Sequence, residues 1–157
     1  MEFLSGNFLI ETIVPKEELI VSRTDLKGII TYANETFALI SGYKIDELIG
    51  KPHNILRHPD MPKSIFKELW KNLETKGSWC GVVKNKRKDD GFYWVYAEIS
   101  GVFKKGELIE YKSIRTPISF EEKVKYQLLY DQIKKENGET TRRVIYSWIK
   151  YNKFKII

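Results

Sequence analysis

The second half of the chain limits the fold more than any other feature. Trp79–Asn85, Phe92–Val102 and Leu108–Thr116 are strand-patterned stretches separated only by Lys88-Asp89-Asp90-Gly91 and Lys104-Lys105-Gly106. Connections this short are hairpin turns, so the three strands are antiparallel neighbours. A strand pair also opens the chain: Leu19-Ile20-Val21 and Gly28–Tyr32 flank the turn Asp25-Leu26-Lys27-Gly28, where Gly28 can take a positive φ. Helical signals fill the space between. Asn34 reads as a helix cap, with Phe37, Ala38 and Ile40 at helical spacing and Gly42 as the stop. Lys44–Gly50 reads as a second short helix. Lys51–Pro62 contains Pro52, Pro59 and Pro62 and forms no long regular element. Asp60 is expected to cap a longer helix with Pro62 in its first turn. Ile65, Phe66, Leu69, Trp70 and Leu73 mark its apolar face, and Gly77 ends it. Two strands, then helices, then three strands predict an α+β domain: a five-stranded antiparallel sheet with short helices on one face.

Beyond Pro117, Ser119-Phe120-Glu121-Glu122 is a capping box. It predicts a helix to about Lys135, closed by Asn137-Gly138, with Phe120, Val124 and Leu128 on one side. Arg142–Lys155 is expected to form one more helix. The predicted organisation is an N-terminal segment over 1–17, a domain over 18–118 and a C-terminal helical extension with a basic tail over 119–157.

Composition excludes several classes. The 157 residues are 42% hydrophobic and 31% charged, with 10 Gly and 5 Pro, which is globular and neither collagenous nor low-complexity. The one cysteine, Cys80, rules out an internal disulfide framework and a cysteine-based metal cluster. No apolar run reaches the roughly 18 residues of a membrane span. Met1–Pro15 has no basic stretch of the secretory kind, so the expected compartment is the cytoplasm. The net charge of +6 is concentrated in Lys84–Lys88 and in the tail after Thr140. Without a base-reading motif, nucleic acid is not an expected partner. A solvated lysine-rich surface and an anionic ligand both remain open. Neither a nucleophile–base pair nor a Walker loop is present, so an enzyme is not expected.

Three stretches carry a family resemblance: TDLKGIITYANETFALISGY (Thr24–Tyr43), IGKPHNILRHPDMP (Ile49–Pro62) and GSWCGVVKNKRKDDGFYWV (Gly77–Val95). Together they resemble a PAS domain. More narrowly, RHPDMP and VKNKRK followed by YWV resemble the flavin-binding PAS domains of bacterial aerotaxis receptors, over roughly Val21–Pro117. The layout is similar to the stand-alone PAS proteins of split energy-taxis systems. The resemblance implies a PAS fold, FAD as cofactor, and a redox or oxygen sensor that signals to a chemotaxis transducer or other signalling protein. It leaves room for a homodimer and for peripheral contact of the basic tail with the inner membrane face.

Site residues follow from the resemblance. Asn85 offers an amide to the polar edge of an isoalloxazine ring, where donor and acceptor are both needed; a surface Asn is the alternative. Trp70 and Trp79 are expected against the ring, or simply in the core. Arg57, His58 and Asp60 match the stretch that lines the flavin site in aerotaxis receptors, with Arg57 suited to a diphosphate. His53 and Asn34 complete the expected set. The loop Asn54–His58 has no cysteine, so the photochemical adduct of light-sensing flavin PAS domains is not expected; Cys80 reads as a small buried hydrophobe. Two other readings stay open. In a haem-binding gas sensor His53 or His58 would be an axial ligand, and a cofactor-free PAS module would serve dimerisation alone.

Overall fold

The computed structural model describes residues 6–139. The basic tail and the helix expected over Arg142–Lys155 lie outside the described residues.

The first hairpin is β1 (Ile20–Thr24) and β2 (Ile30–Ala33), joined by a turn in which Gly28 has φ +88°. Asp25 builds that turn: its carboxylate accepts from the Lys27 and Ile29 N–H groups at 2.9 and 3.0 Å. Two short helices follow, α1 (Glu35–Ser41) and α2 (Ile45–Leu48). A single turn of 3-10 helix over His53–Leu56 leads to α3 (Lys63–Lys76). The last three strands are β3 (Ser78–Lys86), β4 (Phe92–Lys104) and β5 (Glu107–Thr116), and α4 (Phe120–Glu136) closes the described chain.

All pairings in the sheet are antiparallel, in the order β2-β1-β5-β4-β3. Register sorts the side chains onto two faces, because successive residues of a strand point to opposite sides. Ser22 pairs with Ser113, Ala97 with Arg115, and Asn85 with Tyr93, which sets these six on the face beneath α1 to α3. Lys84 and Trp94 pair on the opposite face. That second face is covered from two directions. Residues Ile10 to Thr12 run beside the start of β4, with Thr12 N–H donating to the Phe92 carbonyl at 2.9 Å. α4 lies across β3 and β4: Tyr130 stacks on Trp94 with ring centroids 6.5 Å apart and donates its hydroxyl to the Val82 carbonyl. Lys123 of α4 and Glu11 of the N-terminal stretch join the two covers by an ion pair of 2.8 Å.

Three local expectations are corrected. The longer helix is not capped by Asp60 with Pro62 inside it; Pro62 is itself the N-cap and the helix begins at Lys63. The Asp60 carboxylate turns instead into the protein and meets Lys84 Nζ at 2.8 Å, a charged partner that outcompetes a backbone N–H. The buried side of α4 is not the Phe120, Val124, Leu128 stripe. Gln127, Tyr130 and Lys134 are buried, and Phe120 is 46% exposed. Polar residues hold that side because they meet Lys84 and the Val82 carbonyl of the sheet and the Pro59 carbonyl of the loop before α3. Cys80 is exposed on the edge strand, against the expectation of burial, because its neighbours on that face leave it uncovered.

Candidate functional site

A cavity of about 310 Å³ lies between the sheet, α3 and the loop Pro52–Arg57. Its size is at the lower end of the roughly 300–1,000 Å³ typical of small-molecule sites. The loop is fixed by main-chain bonds to the first hairpin: Ile30 N–H donates to the Lys51 carbonyl and His53 N–H to the Gly28 carbonyl, both at 2.9 Å. α3 presents Phe66, Leu69, Trp70 and Leu73, an apolar wall spaced at helical intervals. The floor is Val83, Asn85, Ala97, Ile99, Tyr111, Ser113 and Arg115, the alternate residues of three strands.

Charge is distributed unevenly. Four cations, Lys27, Arg57, Lys112 and Arg115, line the cavity, and no Asp or Glu does. Arg115 is 2% exposed. It donates to Ser22 Oγ at 2.7 Å, lies 4.2 Å over the Phe37 ring and stands 3.3 Å from His53 Nε2. Its Nε meets no partner among the described residues, and none of the ion pairs found among them involves it. Burial pulls its pKa down to about 10, so it remains charged at neutral pH. His53 carries the complementary perturbation. Burial first, then the Arg115 charge, pushes its pKa down to about 3, which keeps the imidazole neutral. Beside Asn85, Tyr93 is fully buried; burial raises its pKa against the opposing pull of the Arg115 charge and of a hydrogen bond with the Asn85 side chain. Buried polar atoms are normally satisfied. The orphaned Nε of Arg115, on the cavity face of the sheet, is a group that a polar-edged ligand could meet.

The eight expected residues divide evenly. His53, Arg57, Trp70 and Asn85 line the cavity. Asn85 is 5% exposed and next to the last residue of β3, not a surface Asn. Arg57 sits 3.8 Å over the Phe66 ring, and Trp70 packs edge-to-face on Tyr111 at 6.1 Å. Asn34, His58, Asp60 and Trp79 do not line it. The Asn34 amide is consumed as a staple: its oxygen accepts from Phe37 N–H and Val21 N–H, and its nitrogen donates to the Leu19 carbonyl. His58 is 1% exposed, with Nδ1 accepting from Asp60 N–H at 3.0 Å, and Asp60 reaches Lys84 on the far face of the sheet. Trp79 folds back over Gly81 at the end of β3; a Cβ there would come within 2.5 Å of its ring. Sequence reasoning missed Arg115, Ser22 and Tyr93. The alternation Tyr111, Ser113, Arg115 in a half-buried strand was the available signal, since it sets a cation on the inward face.

The sheet, the helices and the cavity between them are those of a known fold family, and residues 30–115 match the model of the PAS fold. The chain belongs to the PAS family. Among curated proteins it is similar to the aerotaxis receptor of Escherichia coli, 42% identical over 80% of this chain and 24% of the receptor. It is also similar to the nitrogen fixation regulatory protein of Klebsiella pneumoniae, 32% identical over 69% of this chain and 22% of the relative. The chain thus spans about a quarter of the length of these relatives. Among solved structures, a PAS domain from Colwellia psychrerythraea superposes with a TM-score of 0.58 at 25% identity, covering 64% of this chain and 86% of that one. The light state of the blue-light photoreceptor Aureochrome1 LOV has the same fold, with a TM-score of 0.60 at 22% identity, covering 72% of this chain and 88% of that one. No helix among the described residues is long and apolar enough to cross a membrane.

Proposed function

We propose that this chain is a flavin-binding PAS redox sensor, taking FAD and passing its redox state to a chemotaxis transducer by protein contact. The carrying observation is the charge pattern of the cavity: four cations and no carboxylate around an apolar, aromatic-walled slot. A flat aromatic ring with a polar edge and an anionic tail satisfies both halves of that description. The similarity to the aerotaxis receptor supports the same reading.

The residues fit the group in distinct roles. Asn85 would meet the ring's polar edge with donor and acceptor together. Arg115, charged, desolvated and carrying a spare N–H, would face the part of the ring where negative charge accumulates. His53, held neutral, is available as acceptor or donor according to its tautomer. Arg57, Lys27 and Lys112 supply cations for a diphosphate, and Trp70 with Tyr111 closes one side of the slot. Flavin supplies reversible electron uptake with a rise in negative charge. A fixed cation binds the two redox forms with different strength, and only such a difference can shift a conformational equilibrium.

The test is an absorption spectrum of the chain purified with abundant FAD, before and after dithionite. A flavin spectrum that bleaches on reduction is expected. A Soret band would establish the haem reading instead, and protein that stays colourless would establish the cofactor-free one.

A further inference from the structure

The turn between β3 and β4 reaches over to the first helix. Arg87 follows β3 directly, two residues beyond Asn85, and its side chain ends at α1. Its Nη1 donates to the Ile40 carbonyl and, at 3.4 Å, to the Leu39 carbonyl. Asp89 holds the guanidinium from the other side, its carboxylate oxygens 3.2 and 3.3 Å from Nε and Nη2. The last four carbonyls of a helix have no partner within it. In α1 each is met: Ala38 by the Gly42 N–H, Leu39 and Ile40 by Arg87, Ser41 by the Lys88 N–H at 3.0 Å. Gly42 keeps the space open; its φ is +78°, and a Cβ on it would come within 3.2 Å of Arg87 Nη2. At its other end α1 is stapled to β1 by Asn34. The helix has seven residues, too few to be stable alone in water, so these two anchors set its position. Between them lies Phe37, fully buried, with the Arg115 guanidinium 4.2 Å over its ring and the His53 imidazole stacked at 5.9 Å.

We propose that Arg87 is a positioning residue of the cavity: by clasping the C-terminal carbonyls of α1 it seats Phe37 against Arg115 and His53. It does not line the cavity and touches no ligand. Without the clasp α1 is anchored at one end only, and Phe37 no longer presses Arg115 into one orientation over the cavity floor. Asn85 and Arg87 stand at the same end of β3, so the same side chain ties the strand that carries Asn85 to the helix above it. That the seated Arg115 meets FAD rests on the flavin reading; the link from Arg87 to Arg115 does not.

The test uses the whole chain with Arg87→Met and, separately, with Lys88→Met, which removes the ion pair to Glu47 of α2 but leaves the α1 carbonyls clasped. NMR follows solvent exchange of the Arg115 Nε–H without ligand, with backbone amides of β1 and β5 reporting global opening. FAD affinity is measured separately. In Arg87→Met the Arg115 N–H is expected to accelerate at least about tenfold more than the strand amides, and FAD affinity to fall about tenfold. Lys88→Met is expected to match the unaltered chain in both. Acceleration shared equally by the strand amides marks a purely structural role and overturns the proposal, as does unaltered FAD affinity in Arg87→Met or an equal loss in Lys88→Met. If the unaltered chain takes no FAD, the flavin reading fails and the exchange comparison alone decides the positioning. If Arg87→Met does not fold, Arg87→Gln, which keeps one donor group, is judged by the same outcomes.

Discussion

Replacing Arg115 and its partner together, as Arg115→Met with Ser22→Ala, is expected to make the ligand-free protein more stable and the ligand-binding protein worse. Burial lowers the guanidinium's pKa from its ordinary value to about 10. At roughly 1.4 kcal/mol per unit, keeping it charged in the fold costs about 3 kcal/mol. Against this stands its position 4.2 Å over the Phe37 ring, a contact of about 1 kcal/mol. Removing Ser22 with Arg115 avoids stranding a buried hydroxyl, while His53 Nε2, 3.3 Å from the guanidinium, loses its donor at a cost of about 1 kcal/mol. The balance is a gain of about 1 kcal/mol, measurable as a higher urea midpoint at unchanged slope. In the same variant FAD affinity is expected to drop at least about tenfold, the loss of roughly 1.4 kcal/mol of interaction. The His53 pKa, followed by NMR, is expected to rise, since one of its two depressing causes has gone. A ligand-free double variant less stable than the parent, or one that holds FAD as tightly, would refute the view that the cation is kept for a ligand at the expense of the fold.

Two further expectations follow from single residues. Gly28 has φ +88°, and a Cβ there would lie 3.3 Å from the Trp70 ring; Gly28→Ala is expected to cost about 1–2 kcal/mol in backbone strain, seen as a lower melting temperature, and an unchanged melt would show that the turn relaxes freely. The folded His53 stays neutral to about pH 3, whereas unfolded it protonates near 6.5. Below pH 6.5 the unfolded state therefore binds more protons and stability falls; at pH 4.5 the deficit from this group is about 3 kcal/mol. His53→Gln is expected to lose less stability than the parent between pH 7 and 4.5, and parallel pH profiles would contradict the assignment.

What was legible in the sequence was local. Asn34, Gly42, Gly77 and the Ser119 capping box each declare themselves through backbone chemistry, and each stands at the helix end expected of it. Hairpin turns gave the antiparallel order of β3 to β5 for the same reason. The cavity was half legible. Asn85, Arg57, His53 and Trp70 came from residue-by-residue resemblance and do line one cavity. Arg115 was not singled out, because a cation in a strand reads as solvent-facing until register shows which neighbours it has. The buried side of α4 was misread because apolar periodicity does not register a helix seated by Gln127 and Lys134. Asp60 looked like a cap because its true partner, Lys84, is remote in sequence.

The central seam of the sheet joins its earliest strand to its latest, with Ile20 opposite Arg115 and Ser22 opposite Ser113. A ribosome adding about 5–20 residues per second exposes the first hairpin seconds before its partner has been synthesised. Until then the two hairpins are separate fragments, and the floor that carries Ser113 and Arg115 has yet to be laid. A complete cavity is thereby confined to chains whose synthesis has passed the final strand, and a stalled or truncated product lacks its floor.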